Sequence, residues 1–506
     1  MTSGNKQIAG GAALSYVTIA FNIVAGMLYT PWMVRQIGQT RYGLYTLATS
    51  LIAMFVIDFG LSTATARFVS RYRAQDDSQR IDRFLGMIFQ LYLILDAVLL
   101  LALVVVYIFS GTLYRTLTPE DLNQFRTVYL IAALYSVIHF PFVPLDGILT
   151  SHELFIQQKL ASLLQNVLTV GLVVIALIRG MGLYALVTAN ALAGLAMIAF
   201  RLYVIRRHTK VRVRFTRLDR PMLKEILGFS AWVTLDALSA RLIFNITPSI
   251  LGMVASTSAI AVFGIVTVIE GHAYTITAAI NGFFMPRISR IVLRGDEGGS
   301  LQSLLLRVGR FQFSVNGLIV AGFTVLGRDF IRLWMGESYL DAYTGVVLVL
   351  IPGLFLSAIQ IGNTIVCVQN KVRGMALINF FTGLLNVALS FFFSARLGAV
   401  GASLSIFTVY AVRTLALSRF YHRQLDVDML EFARKCYLRL GSGVLGTIAL
   451  GWLWTKAMPS RSWLWLGVNG LLVCAVYTAF LVAFGLSAEE KRAVARLLER
   501  RGRKTQ

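Results

Sequence analysis

Apolar residues form long uninterrupted runs along the whole chain, separated by short polar stretches. Each run holds about 20 residues, which as a helix is long enough to cross roughly 30 Å of hydrocarbon. The runs do not alternate between apolar and polar positions, so they predict helices and argue against a membrane β-barrel. We count fourteen such spans, at residues 9–34, 43–67, 84–109, 127–149, 160–178, 182–205, 226–253, 259–285, 304–326, 343–368, 375–395, 398–417, 432–458 and 463–486.

The composition extends this interpretation from single helices to the whole protein. Hydrophobic residues make up 57% of the 506 positions and charged residues only 14%. A soluble chain of this length needs a larger polar surface to stay dispersed. We therefore predict an all-α, polytopic membrane protein with the fourteen spans as transmembrane helices.

The formal net charge of +23 is explained by orientation in the membrane rather than by binding of nucleic acid. If the N-terminus lies inside, the inward loops and the tail hold 36 of the 47 Lys and Arg residues, and the outward loops hold only 10. The loops are short, so the positive-inside rule applies to them. It predicts that both termini are cytoplasmic and that the cations attract anionic lipid.

Basic stretches also divide the chain into parts. The most basic stretch, "RLYVIRRHTKVRVRFTRLDRPMLK", follows the sixth span and separates two groups of six spans. The tail has the pattern of a basic amphipathic helix on the inner leaflet. The predicted parts are an N-terminal lobe at 1–205, a basic cytoplasmic linker at 206–224, a C-terminal lobe at 225–420, two extra spans at 421–486 and the tail at 487–506.

The two lobes carry similar features at corresponding positions. Span two ends in "RFVSR", starting at Arg67, and span eight ends in "RISR", starting at Arg287. The helix before each of them has a late proline, Pro31 or Pro248. Two repeats with an even number of helices have the same orientation and are related by an axis along the membrane normal. We therefore predict two pseudo-symmetric six-helix lobes around a central cavity.

The stretch "IGQTRYGLYTLATSLIAMFVIDFGLSTATARFVSRYRAQDD" at 37–77 resembles the polysaccharide-transporter branch of the multidrug/oligosaccharidyl-lipid/polysaccharide superfamily. That branch has a G-x-x-x-Y-G-x-Y entry to helix two and an acidic-x-G-L exit. The matching residues are Gly38, Tyr42, Gly43, Tyr45, Asp58, Gly60 and Leu61. The "MPRISRI" exit of span eight is similar to the second half of the same family. Because the chain also has fourteen predicted spans, the resemblance covers essentially its whole length. It implies a Wzx-type flippase, which moves polyprenyl-diphosphate-linked oligosaccharides to the outer leaflet.

Ionisable residues inside the spans are the candidate site residues, because each costs about 2.5–3.5 kcal/mol on insertion and normally faces a cavity or a partner. In span seven, "WVTLDALSARLIFNITP" places Thr234, Arg241 and Asn245 on one face of a helix. Asp236 lies about 140° around the helix from Arg241, so the two side chains are poorly placed to neutralise each other. We expect Arg241 to point into a wet cavity or toward an acid on another helix.

Polar stripes also mark spans one, two and eight, which line the central cleft in the family that the sequence resembles. Their members are Ser15, Thr18 and Asn22 in span one, Ser50, Asp58, Ser62 and Thr65 in span two, and Glu270, Tyr274, Thr277 and Asn281 in span eight. Span three adds Asp96. Hydrogen bonds between helices are enough to explain the Ser and Thr members of these stripes. The ionisable members of the stripes exceed what packing requires, which favours a functional cavity.

The resemblance implies a substrate whose diphosphate needs cationic or N–H donors when it leaves water. Arg241 is predicted to bind this diphosphate, because a guanidinium has planar donors suited to phosphate. Arg35 and Arg67, near the ends of spans one and two, are predicted to help at entry or release. The sugar is predicted to bind the amide and hydroxyl groups of Asn22, Asn245, Tyr274 and Asn281. Alternating access would come from rocking of the two lobes about the cavity.

Acids outnumber bases inside the spans, and this keeps two interpretations open. Asp58, Asp96, Asp236 and Glu270 are predicted to be cavity acids, and acids with raised pKa values would carry H⁺ or Na⁺ to drive export. The same acids keep a cation-coupled multidrug exporter, similar to the MATE transporters of the superfamily, as the alternative function.

An enzyme is not expected from this sequence. No outward loop is long enough for a catalytic domain, and the chain has no P-loop, no H-E-x-x-H and no Cys/His ligand cluster. We therefore predict no catalytic residue, no metal and no cofactor apart from a coupling ion. The expected partners are a lipid-linked oligosaccharide (an O-antigen, capsule or exopolysaccharide repeat unit), membrane lipids and other glycan-assembly proteins, in a bacterial inner membrane.

Overall fold

The computed structural model describes residues 3–215, 220–293, 298–369 and 371–485, and within these ranges it contains helices and no strand. The prediction of an all-α protein is confirmed. The predicted tail at 487–506 and residues 216–219 of the linker lie outside the described residues. The helices are α1 (Ser3–Ile37), α2 (Gln39–Phe55), α3 (Leu61–Arg73), α4 (Ser78–Leu113), α5 (Pro119–His139), α6 (Pro144–Ser151), α7 (Phe155–Ile178), α8 (Gly182–His208), α9 (Arg220–Phe244), α10 (Thr247–Val254), α11 (Thr257–Leu293), α12 (Gly298–Trp334), α13 (Asp341–Ile359), α14 (Ile361–Val368), α15 (Val372–Gln424), α16 (Met429–Phe432), α17 (Arg439–Ala457) and α18 (Trp463–Phe480).

Twelve helical stretches among the described residues are long and apolar enough to cross a membrane. Two irregularities reconcile this number with the fourteen predicted spans. The stretch labelled α15 consists of two helices, spans eleven and twelve, which meet at a kink at Gly398, where φ is +54° and not helical. Span two is absent from the twelve because α2 and α3 are separate helices of only 17 and 13 residues. The protein is therefore a multi-pass membrane protein.

The expectation of continuous helices is wrong in spans two and seven. Span two is interrupted between α2 and α3, where Gly60 has a φ of +68°, a left-handed conformation that a helix cannot contain. Span seven is interrupted between α9 and α10, just before Pro248. Proline has no N–H for the helical ladder and its ring clashes with the preceding turn. Both breaks fall inside predicted membrane spans.

The chain forms two compact units. The first comprises Met1–Gly264 and Asn379–Ala402, and the second comprises Ile265–Ile378 and Ser403–Gln506. In the first unit, the ring centre of Phe84 lies 5.5 Å from that of Phe68 and 5.9 Å from that of Tyr72. These buried rings pack α3 against α4. The predicted lobes at 1–205 and 225–420 stay a prediction.

In the second unit, one buried cation ties the C-terminal helices to α12. Arg310 is 8% exposed, and its Nη2 donates to the carbonyl of Gly485 at 2.7 Å. Its Nη1 donates to the carbonyl of Lys435. Both carbonyls belong to π-helical turns, Ala433–Leu438 and Leu481–Gly485, where the regular ladder is interrupted. The guanidinium therefore satisfies acceptors that these two turns expose.

Candidate substrate-binding site

The break between α2 and α3 contains the acidic-x-G-L motif. Phe59 and Gly60 both have positive φ angles, of 54° and 68°, which turn the chain between the two helices. The carboxylate of Asp58 accepts the N–H of Ser62 in the first turn of α3, at 3.3 Å to each oxygen. It also accepts a hydrogen bond from the hydroxyl of Tyr92 on α4. Asp58 therefore caps the start of α3, where unpaired N–H groups favour negative charge.

The break between α9 and α10 is stabilised by side chains. The N–H groups of Asn245 and Ile246 both donate to the carbonyl of Arg241, at 3.0 and 3.1 Å. The next two carbonyls, of Leu242 and Ile243, receive hydrogen bonds from the side-chain amide of Asn386 at 3.0 and 3.2 Å. The hydroxyl of Thr247 also donates to Ile243 at 2.6 Å. A buried carbonyl in a membrane needs such a partner, because no water is available to it.

The Arg241 side chain joins the two breaks within the first unit. Its Nη1 donates to Oδ1 of Asn245 at 3.4 Å, and its Nη2 donates to the carbonyl of Val56 at 3.4 Å. Both contacts are long and both acceptors are neutral, so each is weaker than a hydrogen bond to a carboxylate. Among the residues that the structure describes, no acid forms an ion pair with Arg241. A guanidinium has five N–H donors, which leaves capacity for a ligand.

Asp236 lies on α9 but belongs to a different contact. Its Oδ1 accepts a hydrogen bond from Nδ2 of Asn379 at 2.5 Å, and it forms no ion pair with Arg241. This arrangement agrees with the angle of about 140° between the two positions on one helix. The acid of span seven is therefore held by α15, whereas the base of span seven contacts the two helix breaks.

The first half of α15 carries a polar stripe that the sequence analysis missed. Asn379 and Asn386 are 1% and 0% exposed, and they contact Asp236 and the α9–α10 break. The signal was present in the sequence as polar residues three or four positions apart in an apolar helix, which share one face. The members of the stripe are Asn379, Thr382, Asn386, Ser390 and Ser394, and all five are buried.

The candidate residues of span eight lie in the second unit. Glu270 accepts a hydrogen bond from the hydroxyl of Tyr410 at 3.2 Å. Asn281, a predicted sugar ligand, accepts one from the amide of Gln312 at 2.6 Å, which links α11 to α12. Tyr274 is 55% exposed, so its hydroxyl is accessible at the surface of this unit. The contact of Asn281 favours a structural role, whereas the exposed Tyr274 stays a predicted ligand.

The other predicted site residues of the first unit are Asn22, Arg35, Arg67 and Asp96. Asn22 is exposed and accepts a hydrogen bond from Asn166 of α7 at 2.9 Å. Arg35 is exposed in the last turn of α1, and Arg67 is exposed in the middle of α3. Asp96 is half-buried on α4, and its Oδ1 has no partner among the described residues. Their roles in entry, release and ion coupling stay predictions. In the described part of the chain, no three His, Cys, Asp or Glu side chains are placed to hold a metal ion.

Membrane helices that are broken at mid-span and meet at one cation are typical of transporters, whose discontinuous helices build substrate sites. The chain belongs to the polysaccharide biosynthesis protein family, whose profile matches residues 8–292. The matched range contains both stretches on which the resemblance was based, and the predicted family is confirmed. A search of the curated proteins found no match.

The solved structures with a similar fold include membrane transporters. The lipid II flippase MurJ, in an inward closed conformation, has a TM-score of 0.64 and 14% identity over 90% of this chain and 97% of that chain. An inward-facing multidrug resistance MATE family transporter of the MOP superfamily has a TM-score of 0.62 and 16% identity over 79% and 97%. A MOP superfamily transporter from Pyrococcus furiosus has a TM-score of 0.55 and 17% identity over 83% and 99%. At these identities the comparison establishes a shared fold.

Proposed function

We propose that this protein is a flippase for a polyprenyl-diphosphate-linked oligosaccharide, such as the repeat unit of an O-antigen, a capsule or an exopolysaccharide. It would move its substrate from the cytoplasmic to the outer leaflet of a bacterial inner membrane by alternating access. Membership of the polysaccharide biosynthesis protein family and a fold shared with a lipid flippase support the proposal. The distribution of Lys and Arg supports cytoplasmic termini.

Arg241 is the observation that carries the proposal. It lies within the candidate span Ala231–Val254, and the oxygen atoms that its guanidinium contacts among the described residues are neutral, both at 3.4 Å. A charge in a membrane is costly unless it has a partner or faces water. A diphosphate supplies the missing partner, because its oxygens accept charge-assisted hydrogen bonds from a planar guanidinium. A cationic drug would instead be repelled by Arg241.

The groups around Arg241 suggest how the rest of the substrate head would be handled. The amide of Asn245 is already within reach of the guanidinium, so it can pass from Arg241 to a sugar hydroxyl when a phosphate arrives. Asp58 and Asp236 each have a hydrogen-bond donor of their own in the first unit. They would influence the field at the site and could exchange H⁺ or Na⁺ during the cycle.

The central test replaces Arg241 and measures glycan export. In a strain that depends on this protein, Arg241→Ala should lower surface glycan and should accumulate polyprenyl-linked sugar on the cytoplasmic side. A lost charge-assisted hydrogen bond of about 1.5–3 kcal/mol corresponds to a roughly 10- to 100-fold reduction in rate. Arg241→Lys keeps the charge but loses the planar fork, so its rate should be intermediate.

The matched control is Arg179→Ala, which removes an exposed guanidinium just after α7 and should leave export unchanged. The amount of folded protein in the membrane must be equal for all variants. Full export by Arg241→Ala would disprove the ligand assignment. If loss of the protein causes sensitivity to cationic drugs while surface glycan stays intact, the protein is a drug exporter and the proposed function is wrong.

A further inference from the structure

The linker after α8 begins with a non-helical segment, residues 209–215, which we call the strap. The N–H of Arg212 donates to Oδ1 of Asp82 at 2.9 Å, and the N–H of Arg214 donates to the backbone carbonyl of Asp82 at 3.2 Å. Nε of Arg214 lies 3.9 Å from Oδ2 of the same residue. Two N–H groups two residues apart point to the same side of an extended chain. Asp82, in the first turns of α4, therefore holds the strap by its backbone and its side chain.

Gly86, one turn further along α4, fits the backbone of the strap. A side chain at Gly86 would collide with the carbonyl of Arg214, and the three atoms nearest to its added Cβ all belong to Arg214 and Phe215. Gly86 is buried in a helix, where glycine costs about 1 kcal/mol relative to alanine. The close approach of the strap provides a reason for glycine at this position. The strap therefore has a defined seat on α4.

The side chains of the strap alternate between basic and apolar. Lys210, Arg212 and Arg214 are exposed, and so are Val213 at 41% and Phe215 at 62%. In an extended chain, alternate side chains point to opposite sides, so the cations lie on one side and the apolar groups on the other. Exposed apolar side chains next to cations are typical of segments that lie at a membrane surface.

The position of the seat places the strap at the edge of the hydrocarbon. Phe84 begins the apolar run predicted as span three, and Asp82 lies two residues before it. Apolar side chains held at this level can enter the outer part of the acyl chains, while the cations reach the phosphates of the headgroups. Of the three cations of the strap, Arg214 has Asp82 as its acidic partner. The other two, Lys210 and Arg212, form no ion pair with an acid in the described part of the chain.

We propose that the strap is a binding site for anionic phospholipid headgroups. Lys210 and Arg212 contact the phosphates, and Val213 and Phe215 lie among the upper acyl chain carbons. The seat formed by Asp82 and Gly86 positions these four side chains. The site would hold the start of the linker between the two predicted lobes at the membrane surface, and it is independent of the transported substrate.

The test measures trypsin cleavage after Arg214 in the full-length protein, in nanodiscs of phosphatidylcholine with and without phosphatidylglycerol. A cation near an anionic surface contributes about fivefold, so Lys210 and Arg212 should together slow cleavage about 25-fold in the anionic discs. High salt should reverse the protection. Equal cleavage rates in the two kinds of disc would overturn the proposal, as would protection by phosphatidylglycerol that salt does not change.

Two variants separate a seated site from a general attraction between opposite charges. Lys210→Gln combined with Arg212→Gln should remove most of the protection at Arg214. Gly86→Ala, which displaces the strap from α4, should reduce the protection severalfold, whereas Gly171→Ala, in open space on α7, should leave it unchanged. If Gly86→Ala keeps full protection, the seat has no part in lipid binding and the proposed site is wrong. If the Lys210 and Arg212 double variant keeps it, the cations are not the ligands.

Discussion

Asn386→Leu should destabilise the protein by about 1–3 kcal/mol, because it removes the donor that satisfies the break in span seven. Asn386 is fully buried, and its amide donates to the carbonyls of Leu242 and Ile243 at 3.0 and 3.2 Å. Leucine has the same branching and the same number of side-chain heavy atoms, so no cavity is left, and its larger methyl groups can only add to the cost at a buried site. In the variant, the carbonyl of Ile243 still accepts the hydrogen bond from the hydroxyl of Thr247 at 2.6 Å, whereas the carbonyl of Leu242 loses its donor. The lower end of this range lies near the average of about 0.6 kcal/mol measured for polar contacts between membrane helices.

The measurement is the free energy of unfolding in mixed micelles, with Asn166→Leu as the control. The hydrogen bond between Asn166 and Asn22 is exposed, so the control should change stability by at most about 0.5 kcal/mol. A double-mutant cycle with Thr247→Val sharpens the test. Both side chains serve the carbonyl of Ile243, and their joint removal should cost at least about 0.5 kcal/mol more than the sum of the single changes. An Asn386→Leu protein as stable as the control, or a cycle with no coupling, would refute this account of the break.

Two further changes test the other irregular parts of the fold. Arg310→Met should cost about 3–5 kcal/mol in the same unfolding assay, because two charge-assisted hydrogen bonds to the π-helical turns are lost; Arg307→Met, one turn earlier and exposed, should cost little, and equal effects of the two would contradict the assignment. Gly60→Ala should cost about 1–2 kcal/mol because the φ of +68° is unfavourable for any residue with a Cβ. Gly322→Ala, in open space within α12, should be neutral or stabilising, and a stable Gly60→Ala protein would show that the break tolerates another conformation.

The all-α class and the approximate positions of the spans could be predicted from the sequence, because hydropathy reports directly on what lipid requires of each span. The interruptions could not be predicted in the same way. The break in span two contains Val56 and Ile57, which are as apolar as the helices around them, so hydropathy does not mark it. Gly398 is the opposite case. The hydropathy pattern predicts a boundary between spans eleven and twelve at this position, and the chain does kink there, at a glycine with a non-helical φ of +54°.

The candidate site could be predicted only as far as side chains reveal it. The spacing of Arg241 and Asn245 marked one polar face, and the structure places these two side chains in contact. The other group that contacts Arg241 is the carbonyl of Val56. Because every residue has a backbone carbonyl, the residue type at this position does not predict the contact. The partners of Asp236 and of the α9–α10 break come from α15, more than 130 positions away in the chain. Such contacts depend on tertiary packing, and the spacing of the α15 stripe is their only sequence signal.

The excess of acids over bases inside the spans is weaker support for a cation exporter than the composition suggests. A count of residues treats all charges alike, whereas a ligand responds to those that lack strong partners. Asp58 is held by a tyrosine hydroxyl and a backbone N–H, Asp236 by an asparagine amide and Glu270 by a tyrosine hydroxyl. Arg241 meets two neutral oxygens at 3.4 Å, so it has the most to gain from an incoming ligand of opposite charge. The contacts of Arg241 therefore support the proposed anionic cargo, whereas Asp96, whose Oδ1 has no partner among the described residues, is the acid that stays available for a coupling ion.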